Sequence, residues 1–467
     1  MAADLTSIDV AEAWKPVEGL DWNVKWAAHL FRRAAFGYPP LGFFPSPSSW
    51  TALEYAVKQG MEACVDQLVE GGLGHVPFNK MMDRSGRETA GTKDLERLQG
   101  WWLYRMMFTP HPLEERMTLF WHDHFATSNA KIKDLSLMLD QNKLLRKHSL
   151  GSFRTMLNDI GRNAAMILWL DSNSNVKGKP NENYAREIME LFTLGVGNYT
   201  EEDIKEVARS FTGYDTHDGK FYFEADEHDV GEKTVFGQTG KWGGDDVVRI
   251  LLEQPAAARF IVRKLFHEFV NDYQAPPDDL IEPLAKQFRE SDYDIKVPLR
   301  TIFRSRLFYS DAAYRSRVKS PVEYILGIVN AFYAVVPMQE LAASMDGMGQ
   351  ALFAPPNVKG WDGGKVWLNS STLLARHNIA WRLVGGGSNL LEKRIDPSKL
   401  VSNHGKKKPQ EQIEFLLDLL LQGDASKAAK QKLIALAKFG GLPKNQQKKQ
   451  LRELTHNILL LPEYQLC

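Results

Sequence analysis

Apolar residues recur every three or four positions along most of this chain, and Gly or Pro closes many of the runs. That spacing matches the 3.6-residue turn of an α-helix, so each such segment can bury one stripe against its neighbours. Residues 24–36, VKWAAHLFRRAAF, stop at Gly37, with Pro39 and Pro40 just beyond. The same pattern predicts helices over 53–69, 94–108, 112–126, 145–160, 182–194 and 201–211, with Pro112 suited to a first helical turn. Thr200-Glu201-Glu202-Asp203 is a capping-box-like start with Asp in place of Glu. Helical sequence returns at 244–254, 256–271, 278–290, 296–306, 320–335 and 370–384, and three amphipathic stretches follow residue 410.

One region breaks the period. Residues 212–240 carry Asp218-Gly219 between alternating apolar positions, which signals a hairpin. The expected fold is mainly α: a large multi-helix domain with a small β-hairpin insertion and a helical C-terminal segment. Residues 1–23 read as an N-terminal extension and 24–400 as the helical core domain, interrupted by the hairpin at about 212–240. Residues 401–467 read as the segment packed on that core, entered through the linker SNHGKKKPQ at 402–410.

Composition narrows the function classes. With 43% hydrophobic residues in 467, the chain can build a sizeable core. Fifty-eight basic residues balance 58 acidic ones, so no global field attracts nucleic acid or anionic lipid. The lysines at 406–408 and 444–449 lie in amphipathic sequence and read as solvated faces. Two cysteines, Cys64 and Cys467, build neither a disulfide framework nor a zinc ribbon. The N-terminus has acids where a signal peptide needs a basic region, and no segment offers the ~18 consecutive apolar residues of a membrane helix. A soluble, cytoplasmic protein is the expectation. No Walker loop, GxSxG elbow or CxxC pair is present, and no GxGxxG opens a βαβ unit.

Candidate chemistry gathers in two helices. Residues 119–128 read LFWHDHFATS. On a wheel turned about 100° per residue, His124 shares a stripe with Leu113, Met117 and Phe120, while His122 lies on the far side. One regular helix cannot aim both imidazoles at one metal, and a lone histidine on an apolar stripe is commonly hydrogen-bonded core. In NENYAREIMELFTL (181–194), Asn183, Glu187 and Glu190 face away from an apolar arc, with Arg186 beside them. Glu182–Arg186 and Arg186–Glu190 can be ordinary i, i+4 pairs. Alternatively, Glu187 and Glu190 could join His122 or His124, or both if the helix ends near Phe125 and its last turn distorts, as ligands of a divalent metal between facing helices. Asp123, Arg186 and these four then form the catalytic set, and Asn183, Lys319, Asn357 and Lys359 its substrate-binding rim. At least one of Arg32 and Arg33 is expected to face inward.

The ordered stretches HLFRRAAFG, MTLFWHDHFATS, NENYAREIMELFTLGVGNYTEEDI, RSFTGY, KSPVEY and PPNVKGW, with the closing LLLPEYQL, resemble the bacterial DUF1800 family. The resemblance spans about residues 24–466 and implies an all-α domain but no known reaction. The commoner family form of the first site motif reads WHNHF, so Asp123 stands where a neutral amide is usual. The resemblance also implies a sulfatase-like partner protein, since the family's genes often adjoin those of a second uncharacterised family similar to sulfatases and alkaline phosphatases. Many members look exported. Two readings follow: a metal-assisted hydrolase acting on a sulfated or otherwise anionic substrate, or a non-catalytic helical protein that binds or matures a sulfatase-like partner. In the second, Asp123 paired with Arg32 or Arg33 would be a buried strut.

Overall fold

In the computed structural model of the chain, residues 5, 8–39, 47–72, 74–385, 395–436 and 442–467 are described. Among them, 25 α-helices and two small antiparallel hairpins make the fold mainly α. Helix ends follow the sequence signals. Val24–Ala34 begins at Asn23, whose side chain accepts from the Lys25 N–H, and Thr200 with Asp203 forms the expected reciprocal cap of Glu201–Ser210.

Three segments differ from the sequence expectation, each for a local reason. The helix expected over 53–69 is two, Ser49–Gln59 and Met61–Glu70, because Gly60 has φ +88° and ends the first. The stretch 145–160 divides between Leu135–His148 and Phe153–Gly161 at a turn before the Ser152 cap. The insertion holds two hairpins. Tyr214–His217 pairs with Lys220–Phe223 across Asp218-Gly219, both at positive φ as a type I′ turn requires. Lys233–Val235 pairs with Gln238–Gly240 across Phe236-Gly237, a turn that Phe236 does not advertise. A helix over His75–Gly91 also forms, with few apolar side chains to announce it.

Buried side chains from Leu5 to Tyr464 form one hydrophobic cluster. At its centre lies Pro321–Ala331, all eleven of whose residues are buried, the polar Glu323 and Asn330 included. The C-terminus returns to this helix's entrance. The Cys467 N–H donates to the Arg317 carbonyl at 2.8 Å, and the Lys319 N–H to that of Gln465 at 2.9 Å. Among the described residues no helix is long and apolar enough to cross a membrane.

The helix Pro112–His124 carries charge into this interior. Glu115 is fully buried, yet it accepts from Trp102 Nε1 at 3.0 Å, from Arg146 Nη2 at 3.0 Å and from the Arg105 guanidinium. Burial alone would raise its carboxyl; Arg146 and Arg105 more than reverse this and hold it at about 2. Removing one partner of such a group strands the others. Glu115→Leu is therefore expected to lower the unfolding free energy by about 3–5 kcal/mol in denaturant titrations. Arg186→Ala, on a half-exposed surface pair, should cost under about 1 kcal/mol.

Candidate functional site

The last turn of Pro112–His124 splits its three polar residues among different surroundings. His122 is buried among the rings of Trp102, Phe353 and Trp361, with centroids 5.3–5.7 Å away. Its Nε2 accepts from the Phe353 N–H at 3.2 Å, and burial pushes its pKa down to about 3. His122 is thus a neutral core imidazole.

His124 turns the other way. Its Nε2 lies 3.1 Å from the Phe192 carbonyl and its Nδ1 lies 3.0 Å from Lys264 Nζ. A carbonyl only accepts, so Nε2 carries the proton and Nδ1 accepts from the ammonium. Burial, then the Lys264 charge, keeps this imidazole well below its ordinary pKa.

Between them Asp123 faces a cleft of about 270 Å³. Lys264, His267 and Glu268 line it from the helix Pro255–Phe269, where i, i+3, i+4 spacing puts them on one face. Asp272 and Arg317 extend the floor, and Phe120, Trp361 and Trp367 supply apolar wall. The loop carrying PPNVKGW closes the remaining side with Lys359, Trp361 and Asp362. Asp123 Oδ1 accepts from the Trp361 N–H at 2.7 Å. This approach needs Gly360: a Cβ there would sit 2.2 Å from Asp123 Oδ1, and its φ of +87° is one that side chains resist.

Two groups in the cleft titrate near neutrality. Burial raises the Asp123 carboxyl to about 7, aided by Glu268 and Asp362 and opposed by the Trp361 N–H and Lys264. Burial lowers Lys264 to about 8, with Asp123 opposing. Beneath them Glu268 belongs to a four-membered ion network. Arg116 contacts Glu268 at 2.6 Å and Glu323 at 2.7 Å, while Arg317 reaches both at 3.2 Å. That pairing compensates Glu268 from below, leaving Lys264 and Lys359 as the cleft's cations outside it.

Of the ten residues singled out in the sequence, Asp123, His124 and Lys359 line the cleft. The two helices do meet, but through His124 and the Phe192 backbone. The helix Asn183–Glu187 passes into a π-turn over Ile188–Thr193, so the α-helical wheel misplaces everything beyond Ile188. Glu190 hydrogen-bonds the Tyr199 hydroxyl, and half-buried Glu187 is raised by burial and Glu190 and lowered by Arg186 and Lys359. The expected ligand set of His122, His124, Glu187 and Glu190 is therefore not assembled. Among the described residues it forms no group with ligand atoms within 4.8 Å of one another.

None of the remaining positions lines the cleft. Arg186 pairs with Glu201 at 3.0 Å and Glu182 at 3.4 Å, away from the cleft. Asn183 is exposed, its N–H donating to Asn181 Oδ1. Asn357 Oδ1 accepts from the Lys359 N–H at 2.8 Å, shaping its loop. Lys319 is buried with Nζ 3.5 Å from the Tyr464 ring centroid, and burial with Arg32 and Arg315 drives its pKa well down. Arg32 and Arg33 are both buried; Arg33 donates to the Ala313 carbonyl and to Ser316 Oγ. The strut between Asp123 and one of them does not form: Asp123 bonds the Trp361 N–H, and Arg32 bonds Gln422. Sequence reasoning missed Lys264, His267 and Glu268, although RKLFHEF shows polar residues at helical spacing amid apolar ones.

The profile of a family described as "Protein of unknown function (DUF1800)" matches residues 29–466. No curated protein and no solved structure matches the chain.

Two outcomes test this geometry. Folded Asp123 binds its proton up to about pH 7, but the unfolded residue only to about pH 4. The folded state thus holds the extra proton in that window, and its stability falls as pH rises through it. Urea titrations should show wild type losing stability relative to Asp123→Asn from about pH 4 to pH 7; parallel curves would contradict the shifted carboxyl. Gly360→Ala should cost about 1–3 kcal/mol of stability, with altered tryptophan fluorescence as the loop leaves Asp123.

Proposed function

The chain belongs to the DUF1800 family of proteins of unknown function, and from that premise we propose that the cleft at Asp123 is the active site of a hydrolase for small anionic esters. The observation that carries this reading is the Asp123–Lys264 pair, a carboxyl at about 7 and an ammonium at about 8 facing one cavity. Groups poised near the working pH transfer protons in both directions efficiently. Lys359 at the mouth attracts the anionic group, and Trp361 and Trp367 offer flat surface to the organic part.

Hydrolysis then divides its protons simply. Asp123 takes a proton from the attacking water as the new bond to the ester's central atom forms. Lys264 gives one to the leaving oxygen as the old bond breaks. His124 holds the Lys264 ammonium in place through Nδ1. The first choice of substrate is a sulfate monoester, since a single negative charge asks less of Lys359 than a phosphate dianion would in a cleft that Asp362 also lines. The divalent metal expected from the sequence finds no donor group of three in this cleft among the described residues, so no step is assigned to it.

Aryl sulfate, phosphate and carboxylate esters assayed side by side test the reading. Sulfate-ester turnover should fall about 10²–10⁴-fold in Asp123→Asn and in Lys264→Met, with both variants folded. Turnover that survives both substitutions removes the proposal.

A second reading, a helical binding or maturation partner of a sulfatase-like protein, has one observation in its favour. Arg116, Arg317, Glu268 and Glu323 form a paired network suited to fixing helix register. Co-expression with such a partner should then yield a complex that Asp123→Asn leaves intact.

A further inference from the structure

At the opposite end of the cleft-bearing helix a second cluster of side chains has no part in that chemistry. His75 begins the helix His75–Gly91, His111 immediately precedes Pro112–His124, and Glu114 lies in the latter's first turn. One ligand atom from each lies within 4.8 Å of the other two. His75 Nε2 is 3.0 Å from both Glu114 oxygens, and His111 Nδ1 is 3.9 Å from Glu114 Oε1.

His111 is prepared as a ligand. Its Nε2 lies 3.0 Å from the Leu68 carbonyl, which accepts only, so Nε2 carries the proton and Nδ1 keeps a lone pair. That Nδ1 is buried and has no hydrogen-bond partner, in a residue only 6% exposed. Metal-bound histidines are commonly held this way, with the second ring nitrogen donating to a backbone carbonyl. Gly71 lets the chain pass close over the ring: a Cβ there would stand 2.9–3.2 Å from Nδ1, Cγ and Cε1 of His111, so glycine permits the imidazole its buried position.

His75 carries a conflict that a cation resolves. Its Nε2 meets the Asn79 amide nitrogen at 2.8 Å as well as the Glu114 carboxylate. Asn79 Oδ1 is committed to Arg105, so the nitrogen facing His75 is a donor. A protonated Nε2 opposes Asn79, and a bare one opposes Glu114. A cation held between the bare Nε2 and the carboxylate removes the clash with Glu114, and the Asn79 N–H then turns away from the nitrogen whose lone pair the cation takes.

We propose that His75 Nε2, His111 Nδ1 and the Glu114 carboxylate form a binding site for a zinc-class divalent transition ion. Two imidazoles and one carboxylate match the donor preference of zinc, and a solvent oxygen can complete four-coordination because His75 and Glu114 are partly open. The site is independent of the ester-hydrolase reading and joins the 75–91 helix to the start of the helix that carries Asp123.

The full chain, stripped with chelator, dialysed against zinc and measured by mass spectrometry, should retain about one equivalent per chain. Cobalt loading should give visible ligand-field absorption. His75→Gln, which removes a partly exposed ligand, and Glu114→Gln should both remain folded by circular dichroism and lose the metal and the absorption. Asp123→Asn should keep both, which separates this site from the cleft. Retention below about a tenth of an equivalent, or unchanged retention in His75→Gln, overturns the assignment.

Discussion

Two adjacent residues, Glu115 and Arg116, fix the helix on which the described chemistry depends. They sit about 100° apart on the helix Pro112–His124 and enter separate buried ion networks. Glu115 takes Arg105, Arg146 and Trp102 on one side; Arg116 takes Glu268 and Glu323 on the other. Charges so deep are tolerated only when their partners surround them, because desolvation outweighs any single pair. Neither network survives rotation of the helix by one residue. The two therefore act together as a rotational lock, and direction at the helix's far end follows from it.

At that far end the lock separates His122 from His124 and leaves Asp123 between them at the cleft. Glu268 is shared: it pairs with Arg116 and Arg317 while its helix presents Lys264 one turn earlier. Glu268, under the cleft, is therefore both compensated and held. Without that compensation, Asp123 and Lys264 would face uncancelled charge, and their protonation would be set by the network and not by burial. The wall opposite is backbone, brought against Asp123 by Gly360, so access is shaped by a loop that needs a residue without a side chain. Trp361 serves both surfaces, with its ring against His122 and its N–H on Asp123.

The same helix has chemistry at its two ends. Nine steps of about 1.5 Å each put Glu114 and Asp123 about 13 Å apart along the axis. A ligand gathered by His75, His111 and Glu114 would tie down the beginning of the rod whose end forms the cleft. Rigid supports of this kind suit sites that need ionisable groups held in fixed relation.

The periodicity and local signals of the sequence determined the mainly α fold, most helix boundaries, the Asp218-Gly219 hairpin and the cap at Thr200. These depend on backbone geometry and on side chains within a few positions, which a single chain displays openly. It also marked LFWHDHFATS as chemically unusual. What it could not display is which neighbour each polar group meets. His124 and Lys264 are 140 positions apart, and Asp123 and Trp361 are 238. The π-turn after Glu187 moved Glu190 off the face a regular helix would give it, and a buried ring environment made His122 core. The shifted protonation of Asp123 and Lys264 arises from burial and distant charge, quantities that exist only once the chain has packed.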